Sequence, residues 1–196
     1  MTEVTVTSSI PNSTTSTEQE MYAMFCGDIS AQNMQILTKG LTAAMQANIT
    51  RLHLLFHTWG GFVGDGVYLY NVLKQLPLEV VLYNAGQVAS AGAIAYVGAK
   101  SRKTTSNAIF MIHRAHNSPQ GANASKLKSV SDSLVLDDAR TEVILREHAK
   151  LPDELWKQLE HHDVYVSGVD AVKYGIADGI AEFAPPPGTK VLNALG

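Results

Sequence analysis

Two apolar runs in this chain each end in a cluster of small residues, and that repetition restricts the fold more than any other feature. The first, Arg51 to Thr58, alternates loosely as a strand does and stops at Trp59-Gly60-Gly61. A helical segment follows from about Gly64 to Leu76 and is halted by Pro77, which lacks the N–H needed to continue it. The second run, residues 79–84, leads into Gly86-Gln87-Val88-Ala89-Ser90-Ala91-Gly92-Ala93, and Ile94 to Val97 continue as a buried helix. Strand–helix–strand–helix order of this kind predicts an α/β fold, a mostly parallel sheet covered by helices.

The flanking segments fit that scheme. Tyr22 to Gly27 reads as a strand, after which Asp28 or Ser30 caps a helix carrying Met34, Leu37, Leu41 and Met45 at helical spacing. Lys103–Ser106 and Ala108–Ile112 read as short strands, the second leading directly into His113. Beyond the turn-rich Asn117–Gly121 comes the longest helical pattern, about Ala124 to Lys150. Leu127, Val130 and Leu134 form one stripe on it, and Leu136, Ala139 and Val143 form another on a different face. A helix apolar on two faces is expected to be buried on both, the second against another subunit. Pro152 opens a short helix to about Glu160, Ser167 with Asp170 caps another that Gly175 stops, and Ile176 to Ala181 reads as a last strand.

The domain reading is simple. Residues 1–19, rich in Ser, Thr and Glu, are expected to be a flexible arm; 20–184 form one domain; 185–196, opening on Pro185-Pro186-Pro187, are expected to be a flexible tail. A chain of 196 residues with 45% hydrophobic residues is long enough for one sizeable core. A net charge of −3 with scattered Lys and Arg gives no electrostatic case for nucleic acid or an anionic membrane. No apolar run reaches bilayer-spanning length and the N-terminus has no signal-peptide pattern, so a cytoplasmic location is expected. The single cysteine, Cys26, excludes an intrachain disulfide and fits a reducing compartment; beside Met24 and Phe25 it is expected to be a buried thiol.

Ser90 is the residue with chemical promise. At a strand-to-helix junction it sits where free N–H groups and the helix dipole favour negative charge, as acyl transfer requires. An N-cap role explains the same position, unless a base, a group orienting that base and a second oxyanion donor can be found. Of seven histidines, His113 lies at the C-terminal end of an apolar strand, where parallel sheets present functional groups. His53 and His57 read as strand residues, His148 as a helix surface residue and His116 as a turn residue. Asp163, just before the apolar Val164 and Val166, is the preferred orienting carboxylate, since Asp28, Asp65 and Asp178 have structural explanations. Spacing alone leaves that choice open. The pair Gly60-Gly61 lets the backbone approach a ligand, so the N–H of Gly61 and the N–H of Ala91 are the candidate oxyanion donors. His113, His116, His161, His162 and Asp163 match no common zinc spacing, and neither metal nor organic cofactor is expected.

Together these residues resemble the proteolytic subunit of the Clp protease, from about Tyr22 to Phe183. The stretch Gly86–Ala93 is similar to its nucleophile motif, Met111-Ile112-His113 to the strand carrying its base, and Gly60-Gly61 to its oxyanion glycines. Asp163 falls where that family has its triad Asp, and Ala171–Asp178 resembles the stretch that follows. The resemblance implies a ClpP/crotonase-like spiral of β-β-α units with a protruding long handle helix between stacked rings. It also implies a serine endopeptidase acting on polypeptide or peptide substrates inside a homo-oligomeric ring, with an AAA+ unfoldase as partner. Trp59 stands where the family usually has Pro, and would reshape the first substrate subsite beside Gly60. Arg114-Ala115 replaces Gln-Pro, and Val164-Tyr165 stands where a basic residue involved in ring contacts usually follows the Asp. The Ser/Thr-rich arm does not resemble the family's axial-loop sequence. Two other readings stay open: a ring-forming subunit with weak or no activity, and a crotonase-type acyl-CoA enzyme, for which Asp65 is the only carboxylate near the glycine pair.

Overall fold

A computed structural model describes residues 19–196 of the chain, so nearly all of the arm expected over 1–19 lies outside the described residues. Strand and helix alternate as the sequence predicts: β1 (Glu20–Cys26), α1 (Ala31–Gln46), β2 (Arg51–His57), α2 (Val63–Gln75) and β3 (Glu79–Asn84). The alternation in β2 sends Leu52, Leu54 and Phe56 into the core and leaves Arg51, His53, Leu55 and His57 on the opposite face. Phe56 stacks on Phe25 of β1 at 5.0 Å between ring centroids. Ser30 caps α1 by accepting the Asn33 N–H at 3.4 Å, and Met34, Leu37, Leu41 and Ala44 bury its inner face.

Two sheets result. The larger is wholly parallel; with β5 (Ser101–Thr104), β8 (Gly179–Ile180) and β9 (Val191–Asn193) its order is β8-β5-β3-β2-β1-β9. The smaller has the order β4-β6-β7, from β4 (Gln87–Ala89), β6 (Ile109–Ile112) and β7 (Val164–Ser167). In it β4 runs parallel to β6, and β7 runs antiparallel to β6. Helix α3 (Ala91–Tyr96), apolar throughout and fully buried, follows β4 and packs on α2. Short helices α5 (Asp153–Gln158) and α6 (Gly168–Lys173) flank β7, and Ser167 caps α6 by accepting the Asp170 N–H at 3.1 Å.

Helix α4 (Ala124–His148) is the longest, and only Ile144 and Leu145, near its end, are buried. Leu127, Val135, Leu136 and Val143 are exposed on it, so the two apolar stripes are not both covered within one chain. Among the described residues no helix is long and apolar enough to cross a membrane.

Three expectations are corrected. Cys26 is exposed, because alternation along β1 buries Ala23 and Phe25 and turns Tyr22, Met24 and Cys26 to the other face. The segment 185–196 is not simply a loose tail: Val191–Asn193 pair with Tyr22–Met24 as β9 and close one edge of the large sheet. The last strand expected at Ile176–Ala181 shrinks to Gly179–Ile180, since Ile176 and Ala177 bond back to Ala171.

Candidate active site

The small sheet brings the sequence-predicted residues to one end. Its strands β4 and β6 are parallel, so Ser90 and His113, which follow them, emerge at the same end. Strand β7 runs the other way, so the residue that precedes it, Asp163, emerges there too. The last rung of the β6–β7 ladder pairs Ile112 with Val164, which sets His113 and Asp163 opposite each other one step further on. Thr58, at the end of β2, bridges Val88 of β4 and carries Trp59-Gly60-Gly61 to the same place.

Ser90 does not cap α3 with its side chain. Its backbone is at φ 55°, ψ −127°, a strained conformation for a residue with a Cβ. The bond from its N–H to the Met111 carbonyl, 2.7 Å, helps to hold it there. This turn lifts Oγ out of the helix start, to 2.7 Å from His113 Nε2. Gly60, at φ 101°, makes room: a Cβ there would lie 2.6 Å from the Cβ of Ser90. On the far side of the glycine pair, Ile29 donates its N–H to the Gly60 carbonyl at 2.8 Å and accepts the Phe62 N–H at 2.9 Å. The Gly61 N–H is thereby directed away from Ile29. Among the described residues neither it nor the Ala91 N–H donates to a backbone carbonyl. Both residues line the same cleft as Ser90.

His113 is half-buried and Asp163 is exposed. Both line one cleft with Ser90, Trp59, Gly61 and Ala91. Among the described residues no hydrogen bond joins the Asp163 side chain to His113; the Asp163 carbonyl accepts from Gln158 at 3.2 Å. His113 and Ser90 are thus in contact, and Asp163 is a neighbour across the ladder without a bond. His116 packs against His113 at 5.2 Å between centroids, and His161 and His162 are exposed. No group of three His, Cys, Asp or Glu able to hold a metal occurs among the described residues. The remaining histidines have structural partners: His53 Nδ1 lies 2.8 Å from the Tyr83 hydroxyl, His148 Nε2 lies 3.0 Å from that of Tyr70, and His57 Nδ1 accepts the Gln87 N–H at 3.3 Å. Asp65 opens α2, and Asp178 pairs with Arg102 at 2.6 Å.

The cleft has a volume of about 920 Å³. Trp59 and Phe62, 65% and 73% exposed, form one wall, and Val130, Leu134, Thr141 and Leu145 of α4 form another. Several residues that sequence reasoning passed over hold these walls. Asp138 accepts the Ala115 N–H at 2.7 Å, and Glu142 pairs with Arg114 at 2.9 Å and with Arg146 at 2.8 Å. The segment after His113 is thus fixed to α4. The hydrogen bond from Arg146, assisted by that from Arg114, holds the Glu142 carboxyl below the usual glutamate range despite partial burial. Thr58 Oγ1 accepts the Gly60 N–H at 3.0 Å. Buried Asn84 ties the end of β3 to β6, donating to the Ile109 carbonyl at 3.0 Å while its side-chain oxygen accepts the Gly86 N–H at 3.0 Å. A polar residue ending an apolar run just before a small-residue turn is a signal that could have found Asn84. Nothing local marks Asp138 or Glu142.

Residues 11–184 match the family model for the Clp protease. The proteolytic subunit 2 of the ATP-dependent Clp protease of Pseudomonas aeruginosa is 26% identical over 132 residues, spanning 66% of this chain and 65% of that one. Proteolytic subunit 3 of Rhizobium etli is 26% identical over 156 residues, spanning 79% of this chain and 80% of that one. Among solved structures, a mutant of ClpP1 from Listeria monocytogenes superposes with a TM-score of 0.70 at 21% identity, covering 82% of this chain and 91% of the other. That superposition bears out the expected fold.

Proposed function

The chain belongs to the Clp protease family, and on that premise we propose that it is a serine endopeptidase cleaving peptide bonds of unfolded polypeptides or short peptides. The observation that carries this reading is the contact of 2.7 Å between Ser90 Oγ and His113 Nε2. A neutral imidazole at that distance takes the hydroxyl proton as Oγ attacks the scissile carbonyl, then returns it to the leaving amine. The carbonyl oxygen becomes an oxyanion between the N–H groups of Gly61 and Ala91, each typically worth about 3–4 kcal/mol in the transition state. In this reading Asp163 orients His113 through Nδ1 and fixes the tautomer; its place just before β7, beside the end of β6 that leads into His113, supports the role. The substrate lies extended beside Gly60-Gly61, where main-chain bonds tolerate many sequences, and Trp59 and Phe62 contact its side chains.

The chain works in a homo-oligomeric ring in the cytoplasm. Support for the ring comes from the exposed Val135, Leu136 and Val143 on α4, which a single chain leaves in water. Replacing Ser90 by Ala tests the assignment directly. Hydrolysis of a fluorogenic peptide and labelling by a fluorophosphonate are expected to fall to background, while native mass stays unchanged. Hydrolysis that persists in Ser90→Ala would overturn the reading.

A further inference from the structure

Residues 185–196 lie beyond the family match, yet the structure gives them a defined seat. Strand β8 is at one edge of the large sheet and β9 at the other, so residues 181–190 cross the sheet, on the face that carries Tyr22 and Tyr83. Phe183 marks the path, packing edge-on against Tyr22 at 6.0 Å and Tyr83 at 5.6 Å. Five strand spacings amount to roughly 24 Å, and ten extended residues reach roughly 33 Å, so the crossing has slack.

The seat itself is small and specific. Val191, Leu192 and Asn193 pair with Tyr22, Ala23 and Met24, and the Ala194 N–H reaches the Met24 carbonyl at 2.8 Å. Leu192 and Leu195 pack against the margin of the core. Leu195 packs over Gly27, whose missing side chain leaves the notch it occupies: a Cβ there would lie 2.8 Å from Leu195 Cδ1 and 3.2 Å from Asn33 Nδ2, so a large side chain at 27 would take the place of Leu195. Against this stands weak anchorage. The β9 ladder has three rungs where β1–β2 has seven. Between Glu182 and Lys190 the one backbone–backbone hydrogen bond among the described residues, Thr189 to Pro186, is internal to the segment. Such elements open at the low end of a protein's stability range. When this one opens, it bares an unpaired strand edge and an apolar notch.

We propose that the β1 edge with the Gly27 notch is a strand-addition site, closed in the single chain by its own C-terminal segment, and that its occupant on opening is the same segment of a second copy. The complementary sequence is present on every copy, and the slack in the crossing lets it reach outward. The exchange involves no covalent change and is independent of the peptidase reading.

The test uses the full chain with Leu192→Asp and Leu195→Asp, which frees the seat, and a fluorescent peptide of sequence 186–196 as probe. The opened chain is expected to bind the peptide at least tenfold more tightly than the unaltered chain. Adding Gly27→Leu to the opened chain, which fills the notch with a bulky side chain, is expected to weaken binding at least tenfold. The opened chain is also expected to capture the unaltered chain, with the free peptide competing. Absence of peptide binding, equal binding by the unaltered chain, insensitivity to Gly27→Leu, or capture that the peptide does not compete would each overturn the proposal. If the aspartates unfold the chain, a protease site built in at Gly188 and cut after folding opens the seat instead. Failure of the labelled peptide to exchange with the released segment is then the overturning result.

Discussion

The two sheets of this protein share neighbours but obey different rules. The six-stranded sheet rests on β1, β2 and β3, six or seven residues each, whose inward residues include Phe25, Leu54, Phe56 and Leu82, all at 1% exposure or less. The three-stranded sheet has strands of three or four residues, and the residues that matter in it lie just past the strand ends. One is built to be buried; the other is built to aim. The consequence is that damage to the first should appear as lost stability, and damage to the second as lost chemistry in a chain that still folds.

Asp163→Asn gives the largest expected effect that bears on this division. If the carboxylate orients His113, turnover of a peptide substrate falls by about 10⁴-fold with little change in melting temperature. An unchanged rate would reduce the machinery to Ser90 and His113. Phe56→Ala in the large sheet comes next, with a destabilisation of about 3–5 kcal/mol by urea titration. Activity per folded molecule is expected to survive it, and a rate loss at full folding would break the division. If the Gly61 N–H holds the oxyanion, Gly60→Ala is expected to cost about 2.7–4 kcal/mol of transition-state stabilisation, because the new Cβ meets Ser90 and displaces the segment. Steady-state kinetics should show it in kcat more than in KM.

The smallest effect concerns the bond between α4 and the segment after His113. Glu142 has its pKa depressed in the folded chain, so its stabilising contribution is present above the ordinary glutamate value and is lost as pH falls through the lower folded value. Glu142→Gln should remove that acid-side dependence, about 1 kcal/mol or less for a pair with this exposure. Melting temperatures between pH 7 and pH 3 measure it; an identical acid slope in the variant would free Glu142 from this role.

The same division explains what could be read from the sequence. Strands of six or seven residues display a period of two, so β1 to β3 and the helices between them were visible, as were the junctions at Gly60-Gly61 and Ser90. β4, β8 and β9 are too short to show any period. The strand Val191–Asn193 carries no local signal because three prolines dominate its approach. Ser90 and His113 were legible because each sits at the end of an apolar run. The exposure of Cys26 is hidden in the sequence because its apolar neighbour Phe25 falls on the opposite face of the strand. The bonds of Asp138 and Glu142 to residues 114 and 115 arise only when α4 folds back over the cleft, and no local pattern announces them.

The β6–β7 ladder has a further consequence. Val164 and Val166 are buried while Tyr165 between them is 62% exposed. A slip of one residue in this pairing would bring His162 opposite His113 in place of Asp163, and would also turn both valines to water and Tyr165 inward. Each valine so exposed forfeits roughly 1.5–3 kcal/mol. The oily side of the strand thus proofreads the polar end: a wrong neighbour for His113 is rejected by the core as the strand pairs.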